Sequence, residues 1–433
     1  MIDYSQTIVR DLWALRIQTF QDKIDHGDAE TEADVQLFSS QSEAETSDEE
    51  TMQDSKRPQE ELLPRVVEGL SLNYLGMLLL RLPIAVLDIH EWASSGDLVY
   101  YRAVKILEPR MRSRLPGRYH TFLDPQYTLQ SDALHAAIMK TLTMYHCVFG
   151  MNLPAINYHL CLYRLVQRLL LPLECYAATI RLAELLDIEF RYSDDDKSQR
   201  SKQYSILRLA EGKLVCLLVL ATKLLFAFDD RQRDPRRPTE LAALGMNWVA
   251  WSQARSQAST SVKSQTVLSY ADALSTSERD VLSMSDDKLD QYMDWYEDAF
   301  VEEQPRETGK GRREAGFRRT LFDMFPIDRG SPISMAEHEH DHAVVYREAN
   351  GKVQSALRPL RVVSDETADE DTNRPGSHYR RYRRVDVLAG HAAVFYQEAA
   401  QAVGLPLKDV VQGVFGLEKR LEAWESKQRN QIP

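Results

Sequence analysis

The chain has 433 residues, 43% of them hydrophobic and 27% charged, with a mean hydropathy of −0.41. That is enough apolar material for two or three buried cores, and the negative hydropathy excludes a membrane-embedded composition. The net charge of −12, from 65 acids against 53 bases, argues against bulk coating of nucleic acid and leaves local basic patches as the route to phosphate.

Residues 7–24 set Ile8, Leu12, Leu15 and Thr19 on one stripe with Trp13, Ile17, Phe20 and Ile24 beside it. The 1–24 segment is therefore predicted as one amphipathic helix that must dock its apolar face, with Trp13 in a structural role. It has no basic n-region or apolar h-region, so no secretory signal is expected. Residues 25–64 read as an acidic linker, with thirteen acids and two bases between Asp25 and Glu61. So little apolar surface cannot offset ordering entropy, and disorder is expected. Ser42, Ser47 and Ser55 stand among these acids; phosphorylation is one reading and plain solvation the commoner one.

From Pro64 the character changes. Residues 66–82 are apolar on nearly every face, the pattern of a helix at the centre of a domain. Residues 84–96 predict a second helix closed by Gly96, and 99–107 a short third. Residues 109–130, with Pro109, Pro116, Gly117 and Pro125, read as a loop or insertion. Helices over 131–150, 153–170 and 171–190 follow, the last two with proline in the first turn. The polar run 193–202 reads as a joint between domains.

Residues 204–230 form the strongest helical pattern of the chain, buried on most faces and the counterpart of 66–82. Its longest apolar run, Leu214–Ala221, is too short to cross about 30 Å of hydrocarbon, so no membrane association is expected. Residues 238–256 place Leu241, Leu244, Trp248 and Trp251 on one stripe, which gives both tryptophans a structural role. Residues 285–303 present Leu289, Tyr292, Met293, Tyr296 and Phe300. Residues 304–385 read as irregular and mobile, with one short apolar turn at 319–327, and 386–433 as two C-terminal helices broken at Gly404 and Pro406. No useful alternating β pattern occurs. The expected fold is all-α: two successive helical bundles, over 65–192 and 200–303, each hung on one buried helix.

Catalytic signatures are absent. The chain has no Gly-rich phosphate loop, no G-x-S-x-G and no H-E-x-x-H, and no nucleophile, base and orienter share a defensible spacing; no enzyme is expected. Cys147, Cys161, Cys175 and Cys216 form no C-x-x-C pair and read as small buried hydrophobes in a reducing compartment. His338, His340 and His342 alternate with acids, a spacing that aligns ligands only on a strand. Their loop-like flanks favour adventitious metal affinity over a built site. Asp286 and Asp287 suit the first turn of a helix, whereas Asp229 and Asp230 suit capping the next turn or pairing with the arginines that follow. The basic clusters say more. Residues 231–237 hold four arginines, 378–384 alternate arginine with tyrosine, and 309–319 make a third patch. Any one alone is more often solvated loop charge; three on an acidic chain point to at least one meeting nucleic acid or an acidic partner. The candidate contacts are Arg231, Arg233, Arg236, Arg237, Arg380, Arg381, Arg383 and Arg384.

Three stretches carry a family resemblance: RDLWALR (10–16), LSLNYLGMLLLRLPIAVLDIHEWASSGDLVYYRA (70–103) and LVLATKLLFAFDDRQRDPRRPTELAALGMNWVAW (218–251). Together they resemble the RNA polymerase I core-factor (selectivity-factor) subunit related to transcription factor IIB, over roughly residues 7–255. The third stretch is the most specific. The resemblance implies tandem cyclin folds, with 109–130 an insertion in the first, and a place in RNA polymerase I initiation in the nucleus and nucleolus. The partners it implies are other core-factor subunits, RNA polymerase I, ribosomal DNA promoter DNA and TATA-binding protein. It also implies an N-terminal zinc ribbon, but no C-x-x-C pair precedes Arg10, so no zinc or other cofactor is expected in this chain. Two rival readings remain: a cyclin that regulates a kinase, and a generic helical adaptor. Neither accounts for the arginine clusters and the two tandem buried helices together.

Overall fold

The computed structural model describes residues 2–27, 65–125, 127–192, 206–229, 231, 233–265, 268, 270–300, 335–364, 366 and 372–431. Most of the expected acidic linker, the joint at 193–202 and the basic patch at 309–319 lie outside them. The chain divides into two compact units. One comprises Met1–Ala93, Leu98–Cys161 and Glu189–Glu211; the other comprises Ser94–Asp97, Leu162–Ile188 and Gly212–Pro433.

The first unit is built on α2 (Val66–Leu79), where Leu70, Ser71, Leu72, Tyr74, Leu75, Gly76 and Leu78 are all buried. Two helices pack on it, α1 (Ile2–Gly27) and α6 (Ser131–Phe149); α3 (Val86–Ser95) follows it in the chain. Helix α1 closes in because α2 carries no side chain at Gly76, where a Cβ would lie 2.9 Å from Val9 Cγ2. Tyr145 Oη donates to Leu12 O at 2.6 Å, and Arg16 Nε meets Glu68 Oε2 at 3.0 Å. The buried anchor of α1 is Leu12, while Trp13, expected to be structural, is only half-buried. A 100° helical step turns position 13 off the line that faces α2. The stretch read as an insertion holds two short helices, α4 (Pro109–Arg112) and α5 (Gly117–Leu123). Proline just before or at the first helical position starts a helix as readily as it punctuates a loop. Conversely, the short helix expected at 99–107 is a 3-10 turn, Ala103–Ile106, entered through a left-handed Arg102.

Tyr74 is fully enclosed in this unit. Its hydroxyl meets Tyr192 Oη at 2.5 Å and donates to Glu211 Oε1 at 3.1 Å, and the same carboxylate oxygen accepts Val86 N–H at 2.9 Å. Burial, then the neighbouring Tyr192 and Glu211, push the Tyr74 phenol well above its ordinary pKa, so the network stays protonated at the tyrosines.

The second unit is organised by α9 (Ala210–Leu225), whose residues Leu214 to Lys223 are all at most 2% exposed. The same unit holds most of α7 (Tyr158–Arg168), then α8 (Leu173–Leu185), α10 (Trp248–Gln265), α11 (Tyr270–Ser275), α12 (Glu278–Ser283), α13 (Asp286–Phe300), α14 (Met335–Ser355), α15 (Gly390–Ala402) and α16 (Leu407–Gln431). The sequence suggests that the helices of 153–190 belong with the first bundle; α8 and the bulk of α7 instead pack in the second. The reason is in their contacts. Trp251 Nε1 donates to Leu169 O at 2.9 Å, Arg255 Nη1 to Arg168 O at 2.8 Å, and Thr222 Oγ1 to Cys175 Sγ at 3.6 Å. Leu169, Leu170 and Leu171 are wholly buried there. At about 1.5–3 kcal/mol per fully buried aliphatic side chain, three leucines outweigh chain proximity.

Two further differences have local causes. The helix expected over 238–256 starts only at Trp248, because Asn247 Oδ1 accepts the N–H groups of Val249 and Ala250, both at 3.1 Å, as an N-cap. Ahead of it lies β1 (Leu244–Gly245), which pairs antiparallel with β2 (Arg358–Pro359), Leu244 opposite Pro359 and Gly245 opposite Arg358. The span 304–385, expected to be irregular, contains α14, which packs on α10, and the β2 strand. The histidine-rich stretch 337–342 therefore lies on a helix and not in a loop.

Candidate nucleic-acid interface

All eight arginines singled out in the sequence belong to the second unit. The segment that follows α9 and the segment that precedes α15 are stitched together along their length. From β1 and β2 the pairing continues through Leu360 N–H to Ala243 O (2.9 Å) and Val363 N–H to Pro235 O (3.0 Å), then Asp234 N–H to Asn373 O (2.9 Å). Arg374 Nη1 reaches Val363 O at 2.6 Å and Asp234 O at 3.2 Å. Two basic runs about 140 residues apart in sequence thus become neighbours. A Cβ at Gly245 would sit 2.8 Å from Leu360 Cδ2, so the close approach of the two segments uses a position without a side chain.

Arg233 is the clasp of this seam. It is 7% exposed, grips Asp229 with Nη2 to Oδ2 at 2.9 Å and a second contact through Nη1, and donates from Nε to Ser377 O at 3.1 Å. A longer bond reaches His378 O at 3.4 Å, where the backbone takes a left-handed φ of 50°. With its donors spent inside the protein, Arg233 is not a phosphate contact, which corrects the expectation from sequence. The Arg233 hydrogen bonds also hold the Asp229 carboxyl below the usual carboxylate range.

Arg231, Arg236, Arg237, Arg380, Arg383 and Arg384 are exposed. Arg381 is exposed too but is engaged with Glu422, Nη1 to Oε2 at 2.8 Å. Of the tyrosines in this run, Tyr382 turns inward and Tyr379 is half-buried. Tyr382 is 6% exposed and edge-on to Tyr396, and Lys223 Nζ lies 4.6 Å from its ring centroid and 5.2 Å from that of Tyr379. Lys223 itself is paired with Glu418 at 2.6 Å, both almost fully buried. Tyr379 and Tyr382 are therefore structural, and the surface left by the run is a guanidinium surface suited to phosphate oxygens, not a stacking platform for bases.

Beneath the seam lies an aromatic cluster. The Trp248 ring lies tilted at 4.6 Å from Phe228 and edge-on at 5.6 Å from Phe395, Trp251 stands 5.7 Å from Phe395, and Trp248 Nε1 donates to Ala227 O at 3.2 Å. Sequence reasoning missed Lys223, Glu418 and Arg255, the last of which ties α10 to Glu398 of α15 at 2.8 Å. A lysine set among the apolar residues 214–228 is the signal that could have found the first. Among the described residues no three His, Cys, Asp or Glu side chains gather as a metal site, and no helix is long and apolar enough to cross a membrane. Cys147 is exposed, against expectation; Cys161, Cys175 and Cys216 are buried, and burial pushes the Cys175 thiol up to about 12.

Two family models match the chain one after the other: the N-terminal cyclin domain of Rrn7/TAF1B over residues 3–109 and the C-terminal cyclin domain over 128–300. The chain belongs to the Rrn7/TAF1B family. Its fold is accordingly a tandem of cyclin domains, helical among the described residues apart from the short β1–β2 pair. The RNA polymerase I-specific transcription initiation factor rrn7 of Schizosaccharomyces pombe is 24% identical over 341 residues, 74% of this chain; the chain covers 60% of that relative. The crystal structure of S. cerevisiae core factor superposes with a TM-score of 0.50 at 16% identity, covering 97% of this chain and 90% of the other. The Rrn7/TAF1B C-terminal match begins at 128, ahead of α7 and α8, the helices that the structure packs in the second unit.

Proposed function

We propose that this chain is an RNA polymerase I-specific transcription initiation factor, a scaffold related to transcription factor IIB that acts within a core factor on the ribosomal DNA promoter. The observation that carries the reading is the pair of Rrn7/TAF1B cyclin-domain matches, consecutive and in order. The joined basic runs support it from the side of chemistry. Arg231, Arg236, Arg237, Arg380, Arg383 and Arg384 are exposed guanidinium groups of the second unit, and they would meet promoter phosphates. Such contacts orient a protein on DNA without reading bases; sequence preference would come from the shape and deformability of the duplex. The partners on this reading are the other core-factor subunits, RNA polymerase I and TATA-binding protein, and the place of action is the nucleus and its nucleolus. The protein acts by assembly and not by catalysis.

Chromatin occupancy of a tagged copy tests this. A dominant peak at the ribosomal RNA promoter is expected. Signal spread over many gene promoters, or none at any promoter, would overturn the polymerase I assignment and return the chain to a kinase-regulating cyclin or a general adaptor.

A further inference from the structure

We infer that the buried Lys223–Glu418 pair is a positioning device for the arginine–tyrosine run 378–384, its ammonium drawing the rings of Tyr379 and Tyr382 inward so that the arginines between and after them stand at the surface. Residues 379–384 adopt neither helix nor strand. Their path is therefore set by side chains and not by a backbone ladder. At its start Arg233 holds the carbonyls of Ser377 and His378. From there on, Lys223 Nζ lies 5.2 Å from the Tyr379 centroid and 4.6 Å from that of Tyr382, three residues further along, while Arg381 reaches Glu422, one turn beyond Glu418 on α16.

The choice of residues supports a positioning role over plain stability. Lys223 and Glu418 are 2% and 1% exposed, and the neighbours of Lys223 along α9 are almost all aliphatic. A buried ion pair is commonly no better than apolar residues of the same volume, so packing alone does not call for one here. What an aliphatic side chain lacks is attraction for the faces of two aromatic rings. Burial pushes the lysine pKa down and the glutamate pKa up, and each charge is held on by the other. Glu418 Oε2 has no hydrogen-bond partner among the described residues, so the carboxylate serves the lysine and little else.

The consequence for DNA rests on the reading of this surface given above; the positioning role does not. The test uses the full chain and two readouts, amide hydrogen exchange across 379–384 and affinity for a duplex oligonucleotide at several salt concentrations. The double variant Lys223→Met/Glu418→Met is expected to stay folded, to exchange about tenfold faster in that run, the equivalent of about 1.4 kcal/mol, and to bind duplex as weakly as Arg383→Ala/Arg384→Ala. Lys223→Arg, which keeps a cation under the rings, is expected to restore both. Should the double variant not fold, Tyr379→Leu/Tyr382→Leu, which leaves the ion pair in place, is expected to loosen the run equally. Unchanged exchange in whichever variant folds overturns the inference. If Arg383→Ala/Arg384→Ala binds duplex like the wild type, the DNA reading of this surface falls, while the exchange data still decide the role of the pair.

Discussion

Single residues of this protein carry charge in two ways, and the difference is a matter of how much of each guanidinium the protein has already used. Arg233 has its donors occupied and Arg237 is exposed, although they stand four apart in one cluster. Replacing Asp229 by Asn should cost about 2 kcal/mol of stability at neutral pH, since a charge-assisted bidentate bond is lost from a largely buried arginine. The folded carboxyl is held below its ordinary pKa. Its contribution is therefore present above the unfolded value of about 3.9 and disappears as pH falls through the lower folded value. Denaturant midpoints of wild type and Asp229→Asn should differ at pH 7 and converge in acid; a gap independent of pH would show that Arg233 draws its support elsewhere. Tyr396 is a contrasting case. It is 1% exposed and its hydroxyl has no partner among the described residues, so Tyr396→Phe should be neutral or slightly stabilising in thermal unfolding. A loss above about 1 kcal/mol would mean that the hydroxyl is bonded, for instance through a buried water.

Elements pack here by removing side chains as much as by adding them. Helix α1 has a modest apolar stripe and docks on α2 through Leu12, the Arg16–Glu68 pair and the missing Cβ of Gly76. Gly76→Leu should push α1 away at a cost of about 1–3 kcal/mol, and Tyr145→Phe should cost about 1 kcal/mol through the bond lost to Leu12 O. Protease nicking within α1, followed over time, reports its detachment; equal protection in Gly76→Leu would rule out the close approach. Helix α9 is the opposite case, a helix apolar all round that no surface position could tolerate, which is why its place was readable from sequence. Helix α14 was not readable. Its C-terminal half, Glu348–Ser355, contains Asn350 and Gly351, which look like a turn, and only Ala349 and Val353 of that half are buried. Packing on α10 decides such a helix.

For the molecule as a whole, the salt dependence of DNA binding gives the count of phosphate contacts. Each exposed arginine that meets a phosphate should add about 0.9 to the slope of log K against log salt for duplex DNA. Arg231→Ala/Arg237→Ala and Arg383→Ala/Arg384→Ala should each flatten the slope by about 1.8, and the two pairs together by their sum, because the basic runs lie on one seam. An unchanged slope in the combined variant would remove DNA from this surface. Arg233→Ala is expected to act differently, lowering stability first and affinity only as the seam loosens.

Hydrophobic pattern alone determined that this protein is all-α and that 66–82 and 204–230 hold core helices. Those features follow from local periodicity and from the burial that an all-apolar helix demands. The tertiary structure alone decided which charges are spent. It turned Arg233 into a clasp, buried Lys223 against Glu418, and drew Tyr379 and Tyr382 under the arginines beside them. It also moved α8 and most of α7 into the second unit. A charge has no periodic signature. Whether it faces water or a carboxylate depends on what chain, distant in sequence, arrives beside it, and here that chain arrives from about 140 or more residues away.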